Sequence, residues 1–121
     1  MSAAAGEIFD LLLDGQRGRV LVAEEEGELL GLASVTFAPA MRYGAEYCQL
    51  EELVVDPAAR GKRVGARLVE ALLEQARARG CAEVGAYLLA ATEHNRAFYE
   101  KFGFEAVGTE MRQRLPGVRS D

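Results

Sequence analysis

The sequence predicts an α/β domain, a central mixed β-sheet with flanking helices, and three observations carry that reading. An apolar strand over residues 47–55 is followed by a long helical stripe and a second apolar run over 82–89. A strand–helix–strand crossover of this kind joins parallel neighbours. Two runs before it, 19–24 and 28–37, flank the tight acidic turn 25–27 and read as an antiparallel hairpin, which makes the sheet mixed. Half of the 121 residues are hydrophobic, enough for one modest core. No repeat or linker divides the chain, so a single domain over 1–121 is expected.

Each element has its own signal. Residues 7–13 read as a short helix on the apolar positions Ile8, Leu11 and Leu12. Pro39 is expected to close the second strand, leaving 40–46 as a surface loop, and Asp56 and Pro57 end the third. Val64, Leu68, Leu72 and Ala76 then recur every four residues, flanked by Val69 and Leu73, a helix with one broad buried stripe that Gly80 terminates. In 82–89, Val84, Ala86 and Leu88 share one face of a strand. Residues 95–102 read as a short second helix stopped by Gly103, and 104–107 and 109–115 as short strands or one bent strand.

Charge and cysteine usage narrow the function. A net charge of −5 argues against a broad nucleic-acid footprint and means that any phosphate site is built locally. Arg60, Lys62 and Arg63 supply the one basic cluster suited to it. Cys48, Cys81 and the single His94 have no metal-ligand spacing, so no metal is expected. Two thiols in a reducing cytosol is the reading set against a disulfide. The opening residues lack the basic region of a signal peptide, and no apolar run nears membrane-spanning length, so a cytoplasmic protein without membrane partners is expected.

The most informative stretch runs from Leu53 to Gly65. A buried strand stops, Pro57 turns the chain away from the ladder, and the backbone enters the first turn of a long helix. Amides there have no acceptor within the helix, and its dipole favours negative charge, so a diphosphate suits the position. Arg60, Lys62 and Arg63 offer charge-assisted contacts, Gly61 permits a tight turn, and Gly65 allows a ligand or neighbouring element to come close. An ordinary helix start with solvated basic residues is the alternative.

This stretch resembles motif A of the GNAT superfamily, the acetyl-CoA-dependent N-acetyltransferases, in which a strand and turn lead into Arg/Gln-x-x-Gly-x-Gly/Ala and a helix. Arg60 and Gly65 match the first and last positions, while Arg63 replaces the middle glycine. As a first-turn residue with negative φ, Arg63 is still expected to offer its amide. The resemblance implies a GNAT-like acyl-CoA N-acyltransferase fold and acetyl-CoA as cosubstrate. It also implies cofactor contacts from Leu53, Val54 and Val55 on a strand that parts from its parallel neighbour, and from Arg60, Gly61, Lys62, Arg63, Val64 and Gly65 on the loop.

Residues 95–104 resemble the family's motif B through Phe98, Tyr99, Gly103 and Phe104. Phe98 and Phe102, four apart, are expected to face the core, with Tyr99 on another face. A phenol with a reference pKa of about 10 stays protonated at neutral pH and can donate to a departing thiolate, so Tyr99 is the candidate acid. A tyrosine packing at a pocket edge is the alternative. Thr92 and Asn95 are expected to cap the helix, with cofactor binding the alternative for each, and His94 reads as a surface or capping residue, with a catalytic base the alternative.

Glu51 and Glu52 interrupt an apolar strand and are the candidates for taking the proton of an attacking amine. Strict alternation places them on opposite faces, so only one would face a given pocket. A salt bridge or cap is the structural alternative. Tyr43 and Tyr47 are candidates for the acceptor side. Typical relatives carry an additional strand and a longer helical region before the first hairpin, so homodimerisation across a sheet edge is a further expectation. Together these readings imply acetyl transfer to a small-molecule or peptide amine. A non-enzymatic acyl-CoA-binding or assembly subunit is the alternative.

Overall fold

The computed structural model describes residues 15–116, together with Ala3 and Glu7, both helical. The rest of the helix expected over 7–13 lies outside the described residues. The elements run β1 (Gly18–Glu25), β2 (Glu28–Ala40), β3 (Ala45–Val55), α1 (Val64–Arg79), β4 (Val84–Ala86) and α2 (Arg96–Glu100). Strands lie in the order β1-β2-β3-β4, with two antiparallel junctions and a parallel third one. The β1–β2 turn has Glu26 at φ 52° and Gly27 at φ 82°. Two left-handed residues in succession give the turn whose twist matches that of its strands.

The core forms where α1 covers one face of β2 and β3. Ala33, Val35, Phe37, Cys48 and Leu50 meet Val64, Leu68, Leu72 and Ala76 there, the helical stripe that the four-residue spacing predicts. Leu72 is 1% exposed, and burial of such a side chain stabilises the fold by about 1.5–3 kcal/mol. Gly80, at φ 85°, ends the helix and returns its amide to Ala76 and Arg77. Beside it, Arg79 lies 3.9 Å from the Phe37 ring centre and donates to Glu46 at 2.8 Å and to the Gly15 carbonyl at 2.8 Å. The helix end is thereby tied to the sheet.

Three expectations about the strands are corrected. β2 runs through Pro39 to Ala40. The amide of Phe37 donates to the Arg17 carbonyl on the β1 side, and two residues later Pro39 turns its missing N–H to the same side, where β1 has already ended. No ladder bond is lost. The strand expected over 82–89 is confined to Val84–Ala86. Residues 104–107 and 109–115 form no strand. β4 is too short to offer them an outer ladder, and beyond Phe104 the large apolar side chains stay in solvent, with Val107 92% and Met111 91% exposed. Among the described residues no helix is long and apolar enough to cross a membrane.

Candidate active site

β3 and β4 pair only at Cys48↔Val84, Gln49↔Gly85 and Leu50↔Ala86. Beyond Leu50 the strands part, and β3 continues for residues 51–55 with one edge unpaired. Along this free length Leu53 and Val55 pack inward on the core, while Val54 is 59% exposed on the other face. The sheet therefore forks beside the three residues expected to hold an acyl carrier.

The fork leads into the basic loop. Asp56 caps a 3-10 turn over Pro57–Ala59 by accepting from the Ala58 amide at 2.9 Å. Gly61 follows at φ 87°, a conformation glycine adopts without strain. The first bond of α1 runs from the Arg67 amide to the Arg63 carbonyl at 3.0 Å, so the amides of Val64, Gly65 and Ala66 have no acceptor within the helix. No side chain caps this end, and its first turn holds no acidic residue. Three amides and the positive end of a 16-residue helix dipole thus converge on one spot.

Arg63 departs from expectation. It is the residue before the helix, at φ 58° and ψ 31°, rather than a first-turn residue with negative φ. That explains why a glycine suits the position. Left-handed backbone costs a side-chain-bearing residue about 1–2 kcal/mol, while glycine's greater unfolded freedom returns about 0.5–1 kcal/mol. Its pair with Glu70 at 3.2 Å is exposed and contributes little. Arg63→Gly is therefore expected to stabilise the fold by roughly 0.5–1 kcal/mol, raising Tm by about 2–4 °C. A fall in Tm measured by calorimetry would show that the left-handed residue carries no strain. Lys62 pairs with Glu25 at 2.9 Å, also on the surface, whereas Arg60 has no ion pair among the described residues.

Two glycines set how closely the elements approach. A β-carbon on Gly65 would lie 3.5 Å from Phe98 and 3.7 Å from Val55, so this position seats α2 against α1 and the end of β3. Gly31, which the sequence reading passed over, is tighter. Its β-carbon would lie 2.8 Å from Val64 Cγ1 and 2.9 Å from the Val54 carbonyl oxygen. The available signal was a lone glycine inside an alternating strand, which marks a close approach.

The second helix is shorter than expected, with a 3-10 segment over Ala90–Asn95 before Arg96–Glu100. Thr92 lies inside the 3-10 segment, where its Oγ1 accepts from the Leu89 amide at 2.9 Å, and neither it nor the Asn95 side chain caps the helix Arg96–Glu100. His94 is exposed. Phe98 and Phe102 stack edge to face at 5.2 Å. The inward roles are divided differently from expectation. Phe98 fills the notch at Gly65, and Tyr99 packs on the main core with its ring 5.6 Å from Phe104. Burial pushes the Tyr99 phenol above its usual range, so it stays protonated at neutral pH.

Glu51 and Glu52 do not lie on opposite faces. The ladder pairs Ser34 with Glu52 and Val35 with Leu50, which leaves Glu51 as the extra residue of a β-bulge. Ser34 Oγ donates to Glu52 Oε2, and Thr36 Oγ1 donates to Glu51 Oε2 at 2.7 Å. Ser34 and Thr36, two residues apart on β2, share a face, so both carboxylates lie on the face away from α1. Burial, and then the charge of Glu51, push the Glu52 carboxyl above its usual range. Tyr43 and Tyr47 stay near the β2–β3 hairpin, where Tyr43 donates to Glu83 at 2.6 Å and Arg42 lies 4.5 Å from its ring centre. That is the opposite end of β3 from the phosphate-ready loop, so these tyrosines do not line the fork.

A parallel pair that parts where an uncapped helix begins is the frame of an acyl-CoA-dependent N-acyltransferase fold. The model of the Acetyltransferase (GNAT) family matches residues 2–104, and the chain belongs to that family. It is 36% identical over 98 residues to a glucosamine 6-phosphate N-acetyltransferase of Trypanosoma brucei brucei, an alignment covering 80% of this chain and 65% of the relative. It is also 36% identical over 107 residues to a probable glucosamine 6-phosphate N-acetyltransferase of Oryza sativa subsp. japonica, covering 84% of this chain and 63% of that protein. The chain thus spans somewhat less than two thirds of the length of both. The crystal structure of a Trypanosoma brucei acetyltransferase superposes with a TM-score of 0.76 at 30% identity, over 95% of this chain and 81% of that one.

Proposed function

We propose that this protein transfers the acetyl group of acetyl-CoA directly to a primary amine. The observation that carries the reading is the fork at Leu50, which opens an unpaired stretch of β3 beside a helix start whose amides have no acceptor among the described residues. Backbone groups of Leu53, Val54 and Val55 would take the pantetheine arm. The amides of Gly61, Arg63, Val64 and Gly65 would take the diphosphate, with Arg60 and Lys62 as cationic neighbours and Asn95 offering its uncommitted amide. The ion pair of Lys62 with Glu25 is exposed, so turning the lysine to a phosphate costs little.

Acetyl-CoA supplies the thioester: the amine nitrogen bonds to its carbonyl carbon as the carbon–sulfur bond breaks. Glu51 or Glu52 takes the proton that nitrogen must lose. Tyr99 gives one to sulfur and is restored through solvent, so protons balance. A covalent relay through cysteine is disfavoured on the thiols' own chemistry. Burial pushes Cys48 up to about 12 and also raises Cys81, and the thiolate is the nucleophilic form. Two free thiols also suit a reducing cytoplasm.

The test is release of coenzyme A from acetyl-CoA with an amine panel of glucosamine 6-phosphate, glucosamine, spermidine, lysine peptides and peptides with free N-termini. The name of the two sequence relatives puts glucosamine 6-phosphate first. Amine-dependent release, with calorimetric binding of acetyl-CoA, is expected. Binding without turnover on any amine would instead favour an acyl-CoA-binding or assembly subunit.

A further inference from the structure

The strand opposite the two acids does more than complete a ladder. Ser34, 5% exposed, is the buried polar residue among the described residues, and its hydroxyl is committed to Glu52. Thr36, one step along the same face, commits its hydroxyl to Glu51. The bulge has brought two like charges onto one face, and β2 meets them with two separate donors. Each carboxylate is thereby fixed independently. Glu52 is paired in the ladder and held against a buried group, while Glu51 is the looped-out residue with an exposed bond.

We propose that Ser34 is a positioning residue that fixes Glu52, rather than Glu51, as the group taking the amine's proton, with Thr36 holding Glu51 as its charged neighbour. This rests on the transferase reading. It assigns the proton transfer to one of two candidates and brings in a residue from the adjacent strand. In the reacting step the nitrogen–carbon bond forms, the carbon–sulfur bond breaks, and the proton lost by nitrogen goes to a Glu52 carboxylate oxygen. The charged group acting on Glu52 is Glu51 on its own strand; β2 presents hydroxyls there, and β4 contributes only Val84, Gly85 and Ala86.

A hydrogen bond to the ionised form favours that form, and a neighbouring like charge disfavours it. Ser34→Ala should therefore move Glu52 titration to higher pH, and Glu51→Gln should move it to lower pH. If Glu52 is the base, the acid limb of the rate profile follows each shift, because only the ionised carboxylate accepts a proton.

The experiment titrates Glu52 by carbon NMR of glutamate-labelled protein, assigned with Glu52→Gln. In parallel it measures single-turnover acetyl transfer against pH with acetyl-CoA and the fastest amine of the panel. Ser34→Ala is expected to raise both the titration and the acid limb and to lower the plateau rate about 10- to 100-fold, the scale of a hydrogen bond to a charged group. Ser34→Thr, which keeps the hydroxyl, should restore the limb. Glu51→Gln, a surface change that spares folding, should lower both. A Glu52 titration that moves while the limb stays still would overturn Glu52 as the base, and an unmoved titration in Ser34→Ala would overturn the Ser34 assignment. In both cases the acetylating wild type leaves the transferase reading intact. A wild type that acetylates nothing would overturn that reading and this one with it.

Discussion

Tyr99→Phe is expected to slow single-turnover acetyl transfer by ~10²–10⁴ while acetyl-CoA affinity stays close to that of the wild type. Phenylalanine keeps the ring that packs on the core and against Phe104, so the substitution removes one oxygen and little else. That oxygen belongs to a phenol held protonated by burial, the state an acid needs when a thiolate departs. A tyrosine that merely fills the pocket wall predicts parallel losses in folding and affinity, or no loss. Single-turnover measurement is needed because product release can conceal a slower chemical step. Unchanged chemistry in a folded Tyr99→Phe protein would remove Tyr99 as the acid.

Gly31→Ala is expected to cost about 1–3 kcal/mol in stability and to weaken acetyl-CoA binding as well. The added methyl would meet Val64 Cγ1 and the Val54 carbonyl oxygen at separations that real β-carbons do not show. The carbonyl belongs to a paired strand and cannot move far, so the start of α1 must give way. The amides of Val64 and Gly65 move with it. A single methyl beneath the start of α1 should thus lower affinity, with each factor of ten corresponding to about 1.4 kcal/mol. Denaturant unfolding and calorimetry measure the two effects. Stability lost with affinity intact would show that the helix start is not where the cofactor binds.

Much of this architecture was legible because local signals agreed with long-range ones. The α1 stripe, the β1–β2 turn and the Gly80 stop each rest on chemistry within a few residues, and all three hold. The basic loop was legible for the same reason: a proline, a glycine and a helix start occur in sequence. Failures came where a distant neighbour decides. Residues 104–107 and 109–115 read as strands, yet β4 offers them no ladder. Arg63 was misjudged because its left-handed backbone follows from how the 3-10 turn meets α1, which its own side chain does not announce. The bulge did leave a trace. Cys48 and Leu50 point to the core two apart, but the next inward residue is Leu53, three further on, with two acids between.

That trace has a consequence for engineering. Leu50, Leu53 and Val55 all reach the core only because the ladder absorbs one surplus position. Excising Glu51 from the gene would leave an uninterrupted in–out rhythm with the same inward residues. It would shorten the strand by one position while keeping Glu52 opposite Ser34. Residue 51 is thus a passenger of the architecture, and the chain can be asked to fold without it and then to react without it, as two separate questions.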